Sequence, residues 1–355
     1  MIDVAYKRRY FDLLGNRRIV AVAPTRVDLG GGVDHDLIRI ICDSEELMTF
    51  NLAINLYSKV TISKYEGNGV MVSGSSGNWL INSRYGNFTE EFGLVSAVVR
   101  HFDLEGLRIE IETGYPSKSG LGGSGSVMIA LVLAISKLIT LCDPLDNYTL
   151  DDCVLLAHSI ENALLKNTGF QDQAVAMYGG VNAWRWTSET KGKVFTREKM
   201  DNSFLNFSDN SLLLYTGVPH YSRKGGGSKF VQAFIERGDG CMFVNKINEN
   251  TKKFIQGYKG RDVEMIRDCL NIEEKLRREF VGYDIPENAE RAIGVARDMG
   301  CGIKFTGGGG GGCLWVVGQP PKIESLKNTV SKIDGISILD VKGEKQGAKV
   351  IMVDD

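Results

Sequence analysis

A two-domain protein of mixed α and β structure is what this sequence predicts, on three observations. Its 355 residues are long for one hydrophobic core and suit two packed domains. Strand-like and helix-like stretches come in mixed order along the chain. Past Trp186 the text turns polar and strand-poor over Thr187–Ser211, "TSETKGKVFTREKMDNSFLNFSDNS", which reads as the junction.

Each element has its own signal. Arg18–Leu29 and Lys59–Tyr65 carry the β-branched enrichment of strands. Leu107–Thr113 alternates Leu107, Ile109 and Ile111 with Arg108, Glu110 and Glu112, a strand with one wet face. Val127–Leu141 is apolar on nearly every side, as a helix in the centre of a domain would be. Leu150–Leu165 is a second helix, with Thr149 as its cap. Beyond the junction, Leu212–Val218 returns to strand character, and helices follow over Ser228–Glu236, Asn245–Lys259 and Arg261–Arg278. Pro286–Gly300 has proline near its first turn and glycine at its stop, the usual asymmetry of a helix. Gly302–Gly318 reads as strand, glycine hairpin, strand. No internal repeat stands out.

Composition narrows the function classes. Apolar content of 43% and charged content of 24% are ordinary for a globular protein, and a net charge of −2 leaves no footprint for nucleic acid or an anionic membrane. The expected partner is a small molecule. No uninterrupted apolar run reaches the ~20 residues that span a bilayer, and the start "MIDVAYKRRYFDLLGNRR" is too charged for a signal peptide, so the chain reads as cytoplasmic. Seven scattered cysteines form no CxxC pair and read as buried thiols; four histidines fall at no metal-ligand spacing, which argues against zinc.

Three glycine-rich segments carry the chemistry. In "YPSKSGLGGSGSVMIALVLAI" (Tyr115–Ile135), Gly120, Gly122 and Gly125 satisfy GxGxxG. A dinucleotide fingerprint should directly follow a nearly all-apolar strand, whereas Leu107–Thr113 alternates and is separated from the glycines by a proline-containing turn. A Walker A loop fails too, since no Lys-Ser or Lys-Thr follows. What survives is general: glycines let backbone N–H groups approach an anion, and a helix starting near Ser124 adds about half a positive charge. Ser124 or Ser126 then offers a hydroxyl to phosphate or Mg²⁺. "APTRVDLGGGVDHD" (Ala23–Asp36) ends a strand in three glycines and presents Asp34, His35 and Asp36, a cluster able to bind hydroxyls of a polyol. "KFTGGGGGGC" (Lys304–Cys313) sets six glycines between apolar strands, a cost in chain entropy that suggests close backbone approach to something.

The motifs APxRxxLxGG, PxxxGLGxSxS and a late glycine hairpin, in this order, resemble the GHMP kinases, named for galactokinase, homoserine kinase, mevalonate kinase and phosphomevalonate kinase. The likeness runs from about Val20 to Gly318. "GFQDQAVAMYGGVNAW" (Gly169–Trp184) and "LLYTGVPHYSRK" (Leu213–Lys224) are similar to the sugar-kinase branch, the heptose-phosphate and fucose kinases in particular. The resemblance implies an α+β fold with a ribosomal-protein-like N-terminal domain over 1–190, a ferredoxin-like C-terminal domain over 205–355, and the active site between them. It implies transfer of the γ-phosphoryl group of ATP, with Mg²⁺, to a sugar or sugar-phosphate hydroxyl, the anomeric one as in the heptose-phosphate and fucose kinases. The alternatives are a GHMP kinase of a non-sugar alcohol such as mevalonate and a silent sugar-binding protein of the same fold. A monomer and a homodimer both fit.

The same likeness assigns roles. Asp172 falls at the catalytic base and Arg26 at an arginine that offsets negative charge. Ser124, with Ser126 as the alternative, and Glu161, eleven residues before Asp172, fall at Mg²⁺-binding positions. The backbone of Gly120, Leu121, Gly122, Gly123, Ser124, Gly125 and Ser126 would hold the ATP phosphates. Asp34, with His35 or Asp36, and Gln171 would hold the sugar, and Gly308, Gly309 and Gly310 would pack beside the substrate. His220 and Arg223 lie in a loop that either meets a substrate phosphate or stays exposed. Two positions depart from the family's spelling. Gly125 stands where a second small hydroxyl residue is usual, and His35 stands nine residues after Arg26, where most relatives have an aspartate.

Overall fold

The computed structural model describes residues 13–42, 46–75, 77–82, 93–144, 147–166, 168–187, 193–220 and 229–354. Two sheets organise it. The first runs β12-β1-β2-β5-β3-β4, with β6 on the leading half of β2 and β7 beyond β6. Its strands are β1 (Arg17–Leu29), β2 (Leu47–Lys64), β3 (Val70–Gly74), β4 (Gly77–Ile81), β5 (Leu107–Thr113), β6 (Val181–Trp186), β7 (Phe195–Met200) and β12 (Lys349–Asp354). All neighbours are antiparallel except β3 and β5.

The 18-residue length of β2 lets it serve two partners on one side: Leu47–Leu52 pairs with β6, and Ser58–Lys64 with β5. Between Pro24 and Thr25 the β1–β2 register slips, at a residue that has no N–H to give the ladder. The pairing resumes in a shifted register from Thr25↔Ile54 through Arg26↔Ala53 to Leu29↔Phe50.

Helices cover this sheet. They are α1 (Asp36–Ile41), α2 (Gly93–His101), α3 (Gly123–Cys142), α4 (Leu150–Leu165) and α5 (Gln171–Tyr178). α3 buries residues on almost every side, including Met128, Ile129, Leu131, Val132, Ile135 and Leu138, which is why its sequence lacks an amphipathic stripe. It is long and apolar enough to cross a membrane, yet 78% of its most apolar stretch is packed inside the protein. α4 begins at Thr149 with a reciprocal cap: the Asp152 amide donates to Thr149 Oγ1 (3.1 Å) and the Thr149 amide to Asp152 Oδ2 (2.9 Å).

The second sheet, β11-β8-β10-β9, is antiparallel and uses β8 (Ser211–Tyr215), β9 (Gly302–Phe305), β10 (Cys313–Val317) and β11 (Ser337–Leu339). The helices of this half are α6 (Lys229–Glu236), which packs on the next two and joins the core of the first sheet, α7 (Gly240–Lys259), α8 (Val263–Val281), α9 (Glu287–Asp298) and α10 (Pro320–Val330). Ala292, Ile293, Ile323 and Leu326 pack on one face with Leu214 and Val316. The opposite face shares a core with the first sheet, where Phe50 and Leu52 meet Trp315, Leu213, Phe254 and Leu270. Phe50 and Trp315 stack at 6.4 Å. One apolar cluster therefore joins both sheets.

Three sequence expectations need correction. The domain division at 205–355 puts the C-terminal strand with the second sheet, but β12 pairs with β1 from Arg17↔Asp354 to Val22↔Lys349. The stretch read as a strand-poor junction contains β7, whose Phe195 and Met200 are buried against β6. Among the cysteines, Cys241 is exposed rather than buried, with its sulfur 3.4 Å from that of buried Cys42.

Candidate active site

The loop before α3 lies directly on Asp172. Gly122 takes a left-handed conformation (φ 72°) at the helix start, and no side chain caps the end. A Cβ at Gly122 would fall 3.0 Å from Asp172 Cγ, and one at Gly125 would fall 2.6 Å from Asp172 Cβ. Only glycine permits this approach. The backbone amides of an uncapped helix start, an anion site by their partial charge, thus sit against a carboxylate. The phenol of Tyr115 fixes the loop from below, hydrogen-bonded to Ser58 Oγ (2.6 Å) and donating to Gly123 O (3.1 Å).

Arg26 binds the other side of Asp172. Its Nε donates to Asp172 Oδ1 at 2.8 Å, and its Nη2 lies 2.7 Å from the same oxygen. Nη1 donates to Gly120 O (2.6 Å) and lies 3.4 Å from Asp28 Oδ1. The arginine is 3% exposed, so one guanidinium is held between two carboxylates and the glycine loop. Burial pushes the Asp172 carboxyl above its ordinary value; Arg26 opposes this, while Asp28 and Asp34 reinforce it. About a quarter of its side chain (26%) still opens to solvent, the face a substrate would approach.

Next to this pair, Glu161 from α4 is hydrogen-bonded to Ser124 and accepts from Gln173 Nε2. Burial raises its carboxyl to about 7, and the negative charge of Asp172 adds to the rise against the Ser124 and Gln173 hydrogen bonds. Ser124 is exposed at the mouth and Glu161 is buried behind it. Among the described residues no cluster of three or more His, Cys, Asp or Glu side chains forms a metal site. A hydroxyl and a carboxylate are hard oxygen donors, and this pair suits an ion that takes its other ligands from phosphate and water.

The glycine hairpin closes the cleft from the second sheet. Cys313 N donates to Ser119 O (2.8 Å), and a Cβ at Gly120 would lie 2.7 Å from Thr306 O. Backbone thus packs on backbone where the two glycine segments meet. Gly307 N donates to Asp28 Oδ1 at 2.9 Å.

The family model described as "GHMP kinases N terminal domain" matches residues 88–180, the span holding this loop, Glu161 and Asp172. Over that span the chain is similar to the N-terminal domain of the GHMP kinases. It is 24% identical to a D-glycero-alpha-D-manno-heptose 7-phosphate kinase of Campylobacter jejuni, over 92% of this chain and 96% of that one. It is also 24% identical to a mevalonate kinase of Pyrococcus abyssi, over 94% and 98%. Its α+β fold matches the crystal structure of a D-glycero-D-manno-heptose 1-phosphate kinase from Bacteroides thetaiotaomicron with a TM-score of 0.71, at 19% identity, over 94% of this chain and 98% of that one.

Within this site the sequence-predicted residues divide. The structure gathers Arg26, Asp172, Gly120–Gly125, Ser124, Glu161 and Gln171 around one cleft. Ser126 is corrected: it is fully buried, and its Oγ donates to Ala23 O (2.8 Å), so it faces the sheet and not a phosphate. Asp34 accepts from Gly32 N and Gln171 N, both at 2.9 Å, with 1% of the residue exposed. Its Oδ1 thus braces its own glycine loop and its Oδ2 anchors the start of α5, so this buried carboxylate helps set the position of Asp172, one residue beyond Gln171. Asp36 accepts from Asn162 Nδ2 (2.8 Å), His158 and Arg39, which fastens α1 to α4 and corrects the expectation that it faces substrate. His35 bridges to Gly169 through its backbone.

The hairpin tip also differs from expectation. A Cβ at Gly308 would meet His220 Nε2 (2.7 Å), and one at Gly309 the Tyr283 ring (2.6 Å). His220 Nδ1 donates to Gly309 O at 2.6 Å, and Gly310 lies against Tyr283 and Asp284. Gly308–Gly310 are thus backed by protein, and Gly307 and Gly312 make the approach to the phosphate-loop segment. Arg223 lies outside the described residues.

Sequence reading missed Asp28, Glu273, Arg277 and Lys304, all 2% exposed or less. Lys304 Nζ donates to Asp28 O (2.9 Å) and lies 3.7 Å from Glu273 Oε1; Glu273 accepts from Gly30 N (2.8 Å) and Arg277 Nε (2.7 Å), and Arg277 donates to Gly31 O. The available signal was the charged residue at 28 between Val27 and Leu29, and a lysine inside an apolar strand.

Proposed function

We propose that the protein is an ATP-dependent kinase that transfers the γ-phosphoryl group to a hydroxyl of a sugar or sugar phosphate, the anomeric one. The observation that carries this reading is the packing of Asp172 and Arg26 against the glycine loop, a carboxylate beside the uncapped amides of a helix start. In this reading the Gly120–Gly125 backbone holds the ATP phosphates. Asp172 accepts the proton of the attacking hydroxyl as the new O–P bond forms and the bond to the β-phosphate oxygen breaks, releasing ADP. Arg26 keeps the carboxylate oriented and offsets charge at the phosphoryl group. Ser124 and Glu161 would hold Mg²⁺, whose chemistry is to neutralise charge on the phosphates.

Support for a sugar comes from the heptose-kinase relatives and from Gln171. Its Oε1 is buried without a partner, one residue before Asp172, and suits a hydroxyl donor. A second reading, a mevalonate-type alcohol, is favoured by the equal identity to the archaeal mevalonate kinase. An ADP-release screen with ATP and Mg²⁺ across hexoses, heptose 7-phosphates, uronic acids and mevalonate decides between them. Turnover of a sugar supports the proposal; turnover of mevalonate alone replaces it with the second reading. Ligand binding with no turnover of any acceptor would favour a silent sugar-binding protein.

A further inference from the structure

Asp28 stands out among the buried charges because it touches both halves of the cleft. Its Oδ1 accepts from Gly307 N (2.9 Å) and lies 3.4 Å from Arg26 Nη1, the arginine that holds Asp172. Its carbonyl accepts from Lys304 (2.9 Å). Its Oδ2 is fully buried without a partner, beside Gly31, where a Cβ would lie 2.6 Å from it. A carboxylate with an open acceptor inside a protein costs free energy, so a purely structural position would favour a neutral residue.

We propose that Asp28 is a positioning residue for phosphoryl transfer: it shares the Arg26 guanidinium with Asp172 and ties the hairpin at Gly307 to the phosphate-loop side of the cleft. The charge role rests on the kinase reading above; the hairpin tie does not. The geometry separates these two duties. The shared guanidinium needs negative charge at residue 28, because a neutral side chain leaves Arg26 to pair with Asp172 alone and draws proton affinity from the base. The tie to Gly307 needs only an acceptor. Burial works against the Asp28 anion, yet Arg26, Lys304, Arg277 and the Gly307 amide together outweigh it and hold the carboxyl well below the usual range, so it is charged throughout the working range.

Asp28→Asn keeps an acceptor for Gly307 and removes the charge; Asp28→Ala removes both. With the acceptor returned by the ADP-release screen, Asp28→Asn should lower kcat by about tenfold or more with KM for ATP within about twofold, the size of one charged hydrogen bond. In hydrogen–deuterium exchange, peptides covering residues 304–314 should exchange about tenfold faster in Asp28→Ala and close to the wild-type rate in Asp28→Asn. A kcat within twofold of wild type in Asp28→Asn overturns the charge role, and unchanged exchange in Asp28→Ala overturns the tie. If the wild type phosphorylates nothing, the kinase reading and the charge role fall together, while the exchange comparison still decides the tie. Should Asp28→Ala not fold, Asp28→Ser serves for the exchange arm.

Discussion

Gly125→Ala puts the packing between phosphate loop and base to its most direct test. The new Cβ would lie 2.6 Å from Asp172 Cβ, 3.0 Å from its carbonyl carbon and 3.1 Å from Gln173 N. Ordinary contacts begin at 3.4 Å, so α3 and α5 must part by about 0.8 Å, since backbone atoms cannot swing aside. Overpacking of this kind costs about 1–3 kcal/mol of stability. A displacement on the order of 1 Å between base and phosphate loop costs on the order of 100-fold in rate. We therefore expect kcat to fall about 100-fold, with a measurable drop in the denaturation midpoint. Steady-state ADP release and urea unfolding measure the two effects. Gly294→Ala is the control, because a Cβ there meets nothing within 4 Å and alanine favours its helix. A Gly125→Ala protein with kcat within twofold of wild type and an unchanged midpoint would refute the argument.

Two further outcomes follow from the same geometry. Asp172→Asn should lower kcat by orders of magnitude while ADP affinity, measured by calorimetry, survives; near-normal turnover would remove Asp172 from the base role. The carboxyl of Glu161 is raised to about 7, so in the native state it holds its proton at pH values where the unfolded chain has released it. Stability of chelator-treated protein should therefore fall as pH rises from about 4.5 to 7, by up to about 3 kcal/mol, and Glu161→Gln should flatten that slope. Thermal melts at both ends of the window check it, and equal slopes in the two proteins would contradict the burial argument.

Much of the fold was legible because its signals are local. The bounds of Leu107–Thr113 match β5, with Leu107 and Ile109 buried and Ile111 half-buried, and the Thr149 cap with Leu150–Leu165 matches α4. The hairpin between Gly302 and Gly318 appears as β9 and β10 around the glycines. What escaped was long-range. β12 joins the first sheet although it is more than 300 residues from β1, a pairing that hydrophobic periodicity cannot report. β7 was hidden in a polar stretch because only its ends, Phe195 and Met200, turn inward.

By itself the sequence determined the α+β order, and it named the candidates for the site: the three glycine segments, Arg26, Glu161 and Asp172. Gly125 is the clearest gain from the tertiary structure. The departure from the usual spelling makes room for Asp172, because at 2.6 Å no side chain fits. Direction was decided only in three dimensions. Asp28, Asp34 and Asp36 stand within nine residues of one another, yet one reaches Arg26 and the hairpin, one anchors α5 and one fastens α1 to α4. Their partners Gly307, Gln171 and Asn162 lie more than a hundred residues away, and a carboxylate's task is set by which donors the packed fold brings within 3 Å of it.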